Sequence, residues 1–229
     1  MKIYKLASIA LTAAALGFSV GSANASLVLL SPIDFGGSGL GAVNTILTLQ
    51  NKDTETGSVG RVVENPDDVI TGDAKTGNSQ TQTRTLSELG ITSANNLLVV
   101  FNAAEPDKEQ SINLTNLQLL IFRSTGELLF NSGLFTPISF PNTFSGTGNS
   151  GFVFGLDAAG VTAAQVAFGA GFGSNRVGLA TTATEATGGN ETFFVANRPG
   201  SETKIPEPET MALFGIGLLA LAVSRRRRY

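Results

Sequence analysis

The chain has 229 residues, and its composition excludes several classes of function before any motif is considered. It contains no Cys and no His, so disulfides, thiolate or imidazole metal sites and mechanisms that use His as a general base, such as the Ser-His-Asp triad, are excluded. Between residues 26 and 205 there are 16 Asp and Glu against 9 Lys and Arg, so no basic patch for nucleic acid or anionic lipid is expected.

The first 25 residues have the three parts of a secretory signal. Lys2 and Lys5 provide the positive start, residues 6–20 are apolar, and Ala23-Asn24-Ala25 matches the small-residue pattern that signal peptidase recognises. We therefore predict export through the Sec machinery and cleavage before Ser26. The alternative is a retained membrane helix, but the apolar stretch is short for a hydrocarbon core of about 30 Å and ends in small polar residues.

After a predicted strand at residues 44–50, the chain becomes acidic and turn-prone over residues 51–78. Carboxylates on loops are the hard oxygen ligands that Ca²⁺ requires, so this segment is a candidate Ca²⁺ site. Its spacings match neither an EF-hand loop nor the Ca²⁺-binding nonapeptide repeat, and solvated acidic loops are the other interpretation. The acidic residues concerned are Asp53, Glu55, Glu64, Asp67, Asp68 and Asp73.

Two further strands are expected at residues 96–101 and 112–122. In the second, the alternation of apolar residues slips by one position between Leu114 and Leu117, which indicates a β-bulge. Residues 124–130 read as a turn and a return strand, which predicts a β-hairpin.

Residues 151–156, 176–182 and 192–196 are also predicted strands, and a turn at 187–190 precedes the last of them. Short strands separated by frequent turns favour an all-β fold. We predict a single β-sandwich-like domain over residues 26–197, with Gly-, Ser- and Asn-rich loops and one short helix.

The helical candidate is residues 157–168, where Thr162 is the expected N-cap. Segments rich in Gly, Ser and Asn at residues 131–151 and 169–175 are expected to be surface loops.

Aromatic residues point to a core and away from a sugar-stacking surface. The chain has no Trp, and Tyr4 and Tyr229 both lie in the terminal segments. Three Phe beside Gly or Pro, at positions 35, 140 and 144, are left unassigned. The Phe expected in the core are Phe101, Phe122, Phe130, Phe152, Phe154 and Phe194.

A polar tether at residues 198–204 leads into a C-terminal segment, residues 205–229, with three successive signals. Pro206-Glu207-Pro208 favours an extended, accessible backbone. The apolar run at residues 211–223 would form a short transmembrane helix of about 20 Å. Four arginines, Arg225, Arg226, Arg227 and Arg228, would stop transfer and stay in the cytoplasm. An ordinary membrane anchor is the alternative, but it leaves Pro-Glu-Pro unexplained.

This tail resembles the PEP-CTERM sorting domain of Gram-negative bacteria over residues 205–228. The resemblance implies recognition by an exosortase, a membrane transpeptidase of the cysteine type, followed by removal of the tail. It also implies release or attachment of the protein outside the cell. Such proteins typically occur in bacteria that secrete exopolysaccharide.

The sequence therefore predicts an exported, non-enzymatic protein of the cell envelope or exopolysaccharide matrix, which passes through the inner membrane on its way to the cell surface. Apart from the Ca²⁺ considered above, no cofactor is predicted. One alternative is an extracellular module that binds polysaccharide or Ca²⁺. The other is a secreted enzyme, which would need two facing carboxylates, such as Asp157 with Glu127 or Glu105.

Overall fold

A computed structural model describes residues 25–31, 33, 44–65, 67–77, 79–103, 111–141 and 151–199. Within these residues, one α-helix, α1 (Ala158–Ala164), and 3₁₀ turns at Ala94–Asn96, Gln165–Phe168 and Phe172–Ser174 accompany twelve β-strands. The strands are β1 (Leu27–Leu29), β2 (Thr45–Leu49), β3 (Asp53–Gly60), β4 (Val69–Gly72), β5 (Arg84–Thr85), β6 (Leu97–Asn102), β7 (Ser111–Phe122), β8 (Leu128–Asn131), β9 (Ile138–Pro141), β10 (Phe152–Leu156), β11 (Arg176–Ala186) and β12 (Glu191–Asn197).

The strands form two antiparallel sheets. Sheet A has the order β1-β10-β6-β12-β2, and sheet B has the order β4-β3-β11-β7-β8, with β5 added to β11 and β9 added to β7. Apolar residues of both sheets meet in one large core, and a smaller second cluster contains Leu98, Val100, Val153 and Phe194 of sheet A. The predicted all-β fold is confirmed, since the described residues form mainly two β-sheets with one short helix.

The predicted transmembrane and signal helices, at residues 211–223 and 6–20, lie outside the described residues. Among the residues that are described, no helix is long and apolar enough to cross a membrane.

The longest strand, β7, shows how the sequence pattern determines the core. Its alternate residues, from Ile112 to Ile121, are fully buried between the sheets. The predicted phase slip is confirmed as a bulge at Thr115, because Asn116 pairs with Thr182 whereas Leu114 pairs with Ala183. The Thr115 hydroxyl donates to the Thr182 carbonyl oxygen at 3.1 Å, which satisfies a backbone group beside the interrupted ladder.

An aromatic cluster lies in the core between the sheets. The Phe101 ring stacks on Phe193 with centroids 4.7 Å apart and meets the edge of Phe140 at 5.7 Å. Phe140, which the sequence left unassigned, is therefore a core residue and is 2% exposed. Phe101, Phe122, Phe130, Phe154 and Phe194 are buried as predicted, and Phe152 is partly buried.

Several strands were missed in segments that the sequence assigned to loops. The acidic segment after β2 forms β3 and β4, in which Glu55, Gly57 and Val59 alternate toward the interior. Likewise, the loop expected at residues 131–151 contains β9, which pairs with the first residues of β7. In both segments the period of two is present, but Gly, Thr, Ser and Pro hide it because they are weak strand formers or have no apolar side chain.

The helix has a different N-cap from the one predicted. Asp157 is the cap, since its Oδ1 accepts a hydrogen bond from the Gly160 backbone at 2.6 Å. Thr162 lies inside α1, where its hydroxyl donates to the Ala158 carbonyl oxygen. The predicted cap was wrong because α1 already begins at Ala158, and a side chain in the interior of a helix cannot cap it.

Replacing Asp157 with Ala is expected to destabilise the protein by about 1 kcal/mol, the usual cost of losing an N-cap. Thr162→Ala is the matched control and should cost much less, because Ala favours a helix interior and the lost bond is an exposed back-bond to the preceding turn. Urea unfolding of the two variants measures the difference. Equal losses of stability would contradict the assignment of the cap.

Candidate functional site

Both ends of the described fold emerge at the same end of sheet A. Leu27, at the start of β1, pairs with Leu156, at the end of β10. Leu98, near the start of β6, pairs with Gly155 on one side and with Ala196, near the end of β12, on the other. Because β1 and β12 are three strand spacings apart, the two exit points are about 14 Å from each other. We call this end of the molecule the exit end and the opposite one the distal end.

The C-terminal exit point is fixed by hydrogen bonds to the turn before β6. The Arg198 backbone N–H donates to the Asn96 carbonyl oxygen at 2.8 Å, and its Nε donates to the Asn95 carbonyl oxygen at 3.2 Å. One residue earlier, Asn197 Nδ2 donates to the Gly90 carbonyl oxygen at 3.0 Å. These bonds hold the chain in place as far as Arg198.

The N-terminal exit point contains the predicted signal-peptidase site. Ala25 is packed in the core cluster and is 8% exposed. The Ser26 carbonyl oxygen accepts from the Asp157 backbone N–H at 3.0 Å, and its hydroxyl donates to the Leu134 carbonyl oxygen at 3.3 Å. Ala23 lies outside the described residues. The bond between Ala25 and Ser26 is therefore part of the folded structure.

We expect signal peptidase to cleave the chain well only before β1 has docked on β10. The peptidase must bind the residues around the cleaved bond in an extended, accessible form, and the folded chain buries Ala25. Full-length chain refolded in detergent micelles should resist the enzyme, whereas chain added from denaturant should be cleaved before Ser26, as intact mass would show. Leu27→Asp, which places a charge at a buried position of β1, should restore cleavage of the refolded chain. Rapid cleavage of the refolded wild type would contradict this order of events.

The acidic residues of the predicted Ca²⁺ site are divided between the two ends of the sandwich. Asp53 begins β3 and Asp73 follows β4, so both lie at the distal end. Asp67 and Asp68 lie in the β3–β4 connection, at the exit end. The length of β4 separates Asp68 from Asp73 by about 17 Å, which is too far for a shared ion.

Protein groups already bind two of these carboxylates. Asp73 accepts from Asn51 Nδ2 and from the Thr56 backbone N–H, each at 2.8 Å. Asp68 accepts from the Thr83 backbone N–H at 2.7 Å and forms a salt bridge of 3.3 Å with Arg61.

The remaining acidic positions differ in exposure. Asp53 and Asp67 are exposed, whereas Glu55 is fully buried in β3 and accepts from the Asn51 backbone N–H at 3.2 Å. Among the described residues, no three carboxylates come together in a group that could hold a metal ion. Ca²⁺ binding stays a prediction.

One carboxylate at the exit end has a shifted pKa. The Thr85 backbone N–H donates to Glu88 at 2.8 Å, and this bond is the main reason that the pKa of Glu88 lies below its usual value. A lowered pKa in the folded state stabilises the protein at neutral pH and ceases to do so as the pH falls through that pKa. Because Glu88 is exposed, the effect on stability is small.

The sorting residues predicted from the sequence, Pro206, Glu207, Pro208 and Arg225 to Arg228, lie outside the described residues. A comparison with protein families covers the same segment of the chain. The model of the PEP-CTERM protein-sorting motif matches residues 204–228. The chain carries a PEP-CTERM sorting motif. It is thus an exported protein with an exosortase-dependent sorting step at the membrane.

The PEP-CTERM match covers the tail and does not extend into the sandwich. Comparisons with curated proteins and with solved structures found no match to the chain.

The residues that fix the C-terminal exit point were not found from the sequence. Gly90, Asn95 and Asn96 contact residues about a hundred positions later, and no local pattern encodes such a contact. Their local sequence does carry one signal, the Ser93 N-cap of the 3₁₀ turn, whose hydroxyl accepts from the Asn95 backbone N–H.

Proposed function

We propose that this protein is a non-enzymatic component of the cell envelope or exopolysaccharide matrix, and that an exosortase removes its tail after the sandwich has reached the outside of the inner membrane. The observation that carries the proposal is the PEP-CTERM match at residues 204–228. Such a motif directs a protein to a sorting enzyme, and the β-sandwich N-terminal to the motif is the part of the chain that reaches the cell exterior.

The positions of both exit points support a membrane-held intermediate. Lys2 and Lys5 at one terminus and Arg225 to Arg228 at the other favour the cytoplasmic side, so both ends of the chain would start there. A hairpin-like insertion of this kind requires the outer domain to begin and end near the membrane. The exit points about 14 Å apart on one end of the sandwich meet that requirement without unfolding any strand.

The carboxylates support a role without catalysis. The chain has no His or Cys, and the catalytic groups considered from the sequence were paired Asp or Glu. Of the carboxylates considered for that role, Asp157 caps α1 through Gly160, and Glu127 pairs with Arg123 at 2.9 Å in an exposed hairpin turn. Glu105 lies outside the described residues. Structural use of Asp157 and Glu127 favours a passive matrix role.

Intact mass and cell fractionation of the protein from its native host test the proposal. We expect a species that lacks both the signal and the residues after the Pro-Glu-Pro segment, recovered from the cell surface or the matrix. A full-length tail in the inner-membrane fraction would instead identify an ordinary anchor and overturn the proposal.

A further inference from the structure

The exit and distal ends of the sandwich present different surfaces. Strand register identifies which connections belong to each end. β3 ends beside the start of β11, and Arg84, which pairs with Val177 there, donates from its Nε to the Thr45 carbonyl oxygen at the start of β2, 3.2 Å away. This bond joins the exit ends of the two sheets. At the other end, Leu49 forms a bridge with Ala74 and pairs with Glu191, which places residues 50–52, 73–77 and 187–190 together.

The exposed large apolar side chains are concentrated at the exit end. Val62 and Val63 follow β3, Leu128 starts β8, and Val166 lies in the connection from β10 to β11, all at that end. Leu134, which is 74% exposed, accepts the hydroxyl hydrogen bond of Ser26. The full set among the described residues is Val28, Leu29, Val62, Val63, Leu128, Leu134 and Val166.

The described part of the distal end has a polar surface instead. Lys75 Nζ donates to Gln50 Oε1 at 2.6 Å and to Asn190 Oδ1 at 3.5 Å, and Gln50 Nε2 donates to the Gly188 carbonyl oxygen. Asn51 binds Asp73 beside them. None of the exposed large apolar residues belongs to the described distal connections at residues 50–52, 73–77 and 187–190. Among the described residues, the exposed large apolar side chains outside strand β1 therefore lie at the exit end.

The length of chain after the sandwich limits how far the exit end can lie from the bilayer. The structure describes the chain to Pro199, and the apolar run of the tail begins at Met211. The chain between these two residues spans at most about 40 Å when fully extended, which is about the length of strand β7. Because the chain leaves the sandwich at the exit end, that end is the one connected to the inserted tail over this distance.

We propose that the exit end is a membrane-facing surface, which rests on the lipid headgroup region of the inner membrane while the tail is inserted. This inference depends on the membrane-held step of the proposed function. Clusters of exposed apolar residues mark surfaces that bind a membrane or another protein. Because the tail inserts into the bilayer and leaves the domain at this end, the bilayer is the expected partner. Val62, Val63, Leu134 and Val166 contact the lipid surface, and the distal polar network points outward, where matrix components are met.

Single-cysteine labelling tests this orientation, because the chain contains no Cys of its own. Val166→Cys places a label at the exit end, and Lys52→Cys places a matched label on an exposed residue of the distal end. Each full-length variant is labelled with a fluorophore and inserted into phosphatidylcholine vesicles that contain a headgroup nitroxide lipid. We expect strong loss of fluorescence at position 166 and little loss at position 52. Adding Val62→Ser, Val63→Ser and Leu134→Ser to the Val166→Cys variant should reduce the loss at position 166.

Flotation of the vesicles separates a failure of the proposed orientation or contacts from a failure of the membrane-held step. If the protein floats with the vesicles and both labels are quenched equally, or position 52 more strongly, the orientation is wrong and the sorting proposal is unaffected. If quenching at position 166 survives the three Ser substitutions unchanged, the apolar contacts are wrong. If the protein does not float, the membrane-held step itself fails, and the orientation fails with it.

Discussion

Replacing Pro206 and Pro208 together with Ala should leave the protein full length and in the inner-membrane fraction. Proline fixes its own φ, so we expect the tripeptide to be extended outside the bilayer, where the sorting enzyme would read it. With Ala at both positions, the apolar helix can extend toward the domain and the recognition shape is lost. Because recognition precedes any bond cleavage, the expected effect is loss of the processed form, measured by intact mass after cell fractionation.

Pro199→Ala is the matched control for the double substitution. It removes a proline from the same stretch of chain but lies outside the sorting motif, which starts at residue 204. Processing of this variant should equal that of the wild type. If the Pro206/Pro208 variant is still processed, or if Pro199→Ala blocks processing equally, the tripeptide is not the recognised element.

The pattern of apolar residues predicted the strands that form the middle of the sheets. In β7 the apolar residues alternate with partly exposed ones, which leaves a period of two, whereas β6 is buried on both faces and is recognised as a short continuous apolar run. The bulge in β7 could be read as well, because a shift of one residue in register must move every following apolar side chain to the opposite position.

Strand β3, which was missed, also alternates between buried and more exposed residues, but few of its buried side chains are apolar. β3 turns Glu55, Gly57 and Val59 inward, and one apolar residue among three is too little for a pattern. A Cβ on Gly57 would approach Leu49 Cδ2 to 2.5 Å and the backbone atoms Ala74 N and Thr71 O to 3.1 Å. Close packing, which no local sequence reveals, therefore favours Gly at this position. The acidic residues of β3 were consequently assigned to a loop.

One part of the candidate site can be recognised from local sequence, and the other depends on contacts between distant segments. The tail is a contiguous motif, and its three physical signals can be recognised without any fold. The shared exit end depends on the order of strands in sheet A, in which β1 and β12 are separated by β10 and β6. Strand order results from packing among distant segments, so the relation between the two exit points had to come from the structure.

The aromatic cluster is where a single substitution should destabilise the domain most. Phe101 is fully buried in β6, stacks on Phe193 of β12 and meets Phe140 of β9, so it joins both sheets. Truncation to Ala removes this ring and leaves a cavity between two sheets that the surrounding strands cannot easily close. The expected loss of unfolding free energy for Phe101→Ala is about 3–5 kcal/mol.

Phe172→Ala is the control, since Phe172 is partly buried in a 3₁₀ turn and pairs with Phe168 at 5.7 Å. It should cost much less than Phe101→Ala, because a partly exposed ring loses less buried area and leaves no closed cavity. Urea unfolding of the mature protein measures both, and an unchanged slope with a lower midpoint would show that stability alone has changed. Equal losses for the two variants would mean that the sheets do not depend on the Phe101 cluster. The exported domain would then owe its stability to contacts elsewhere in the core.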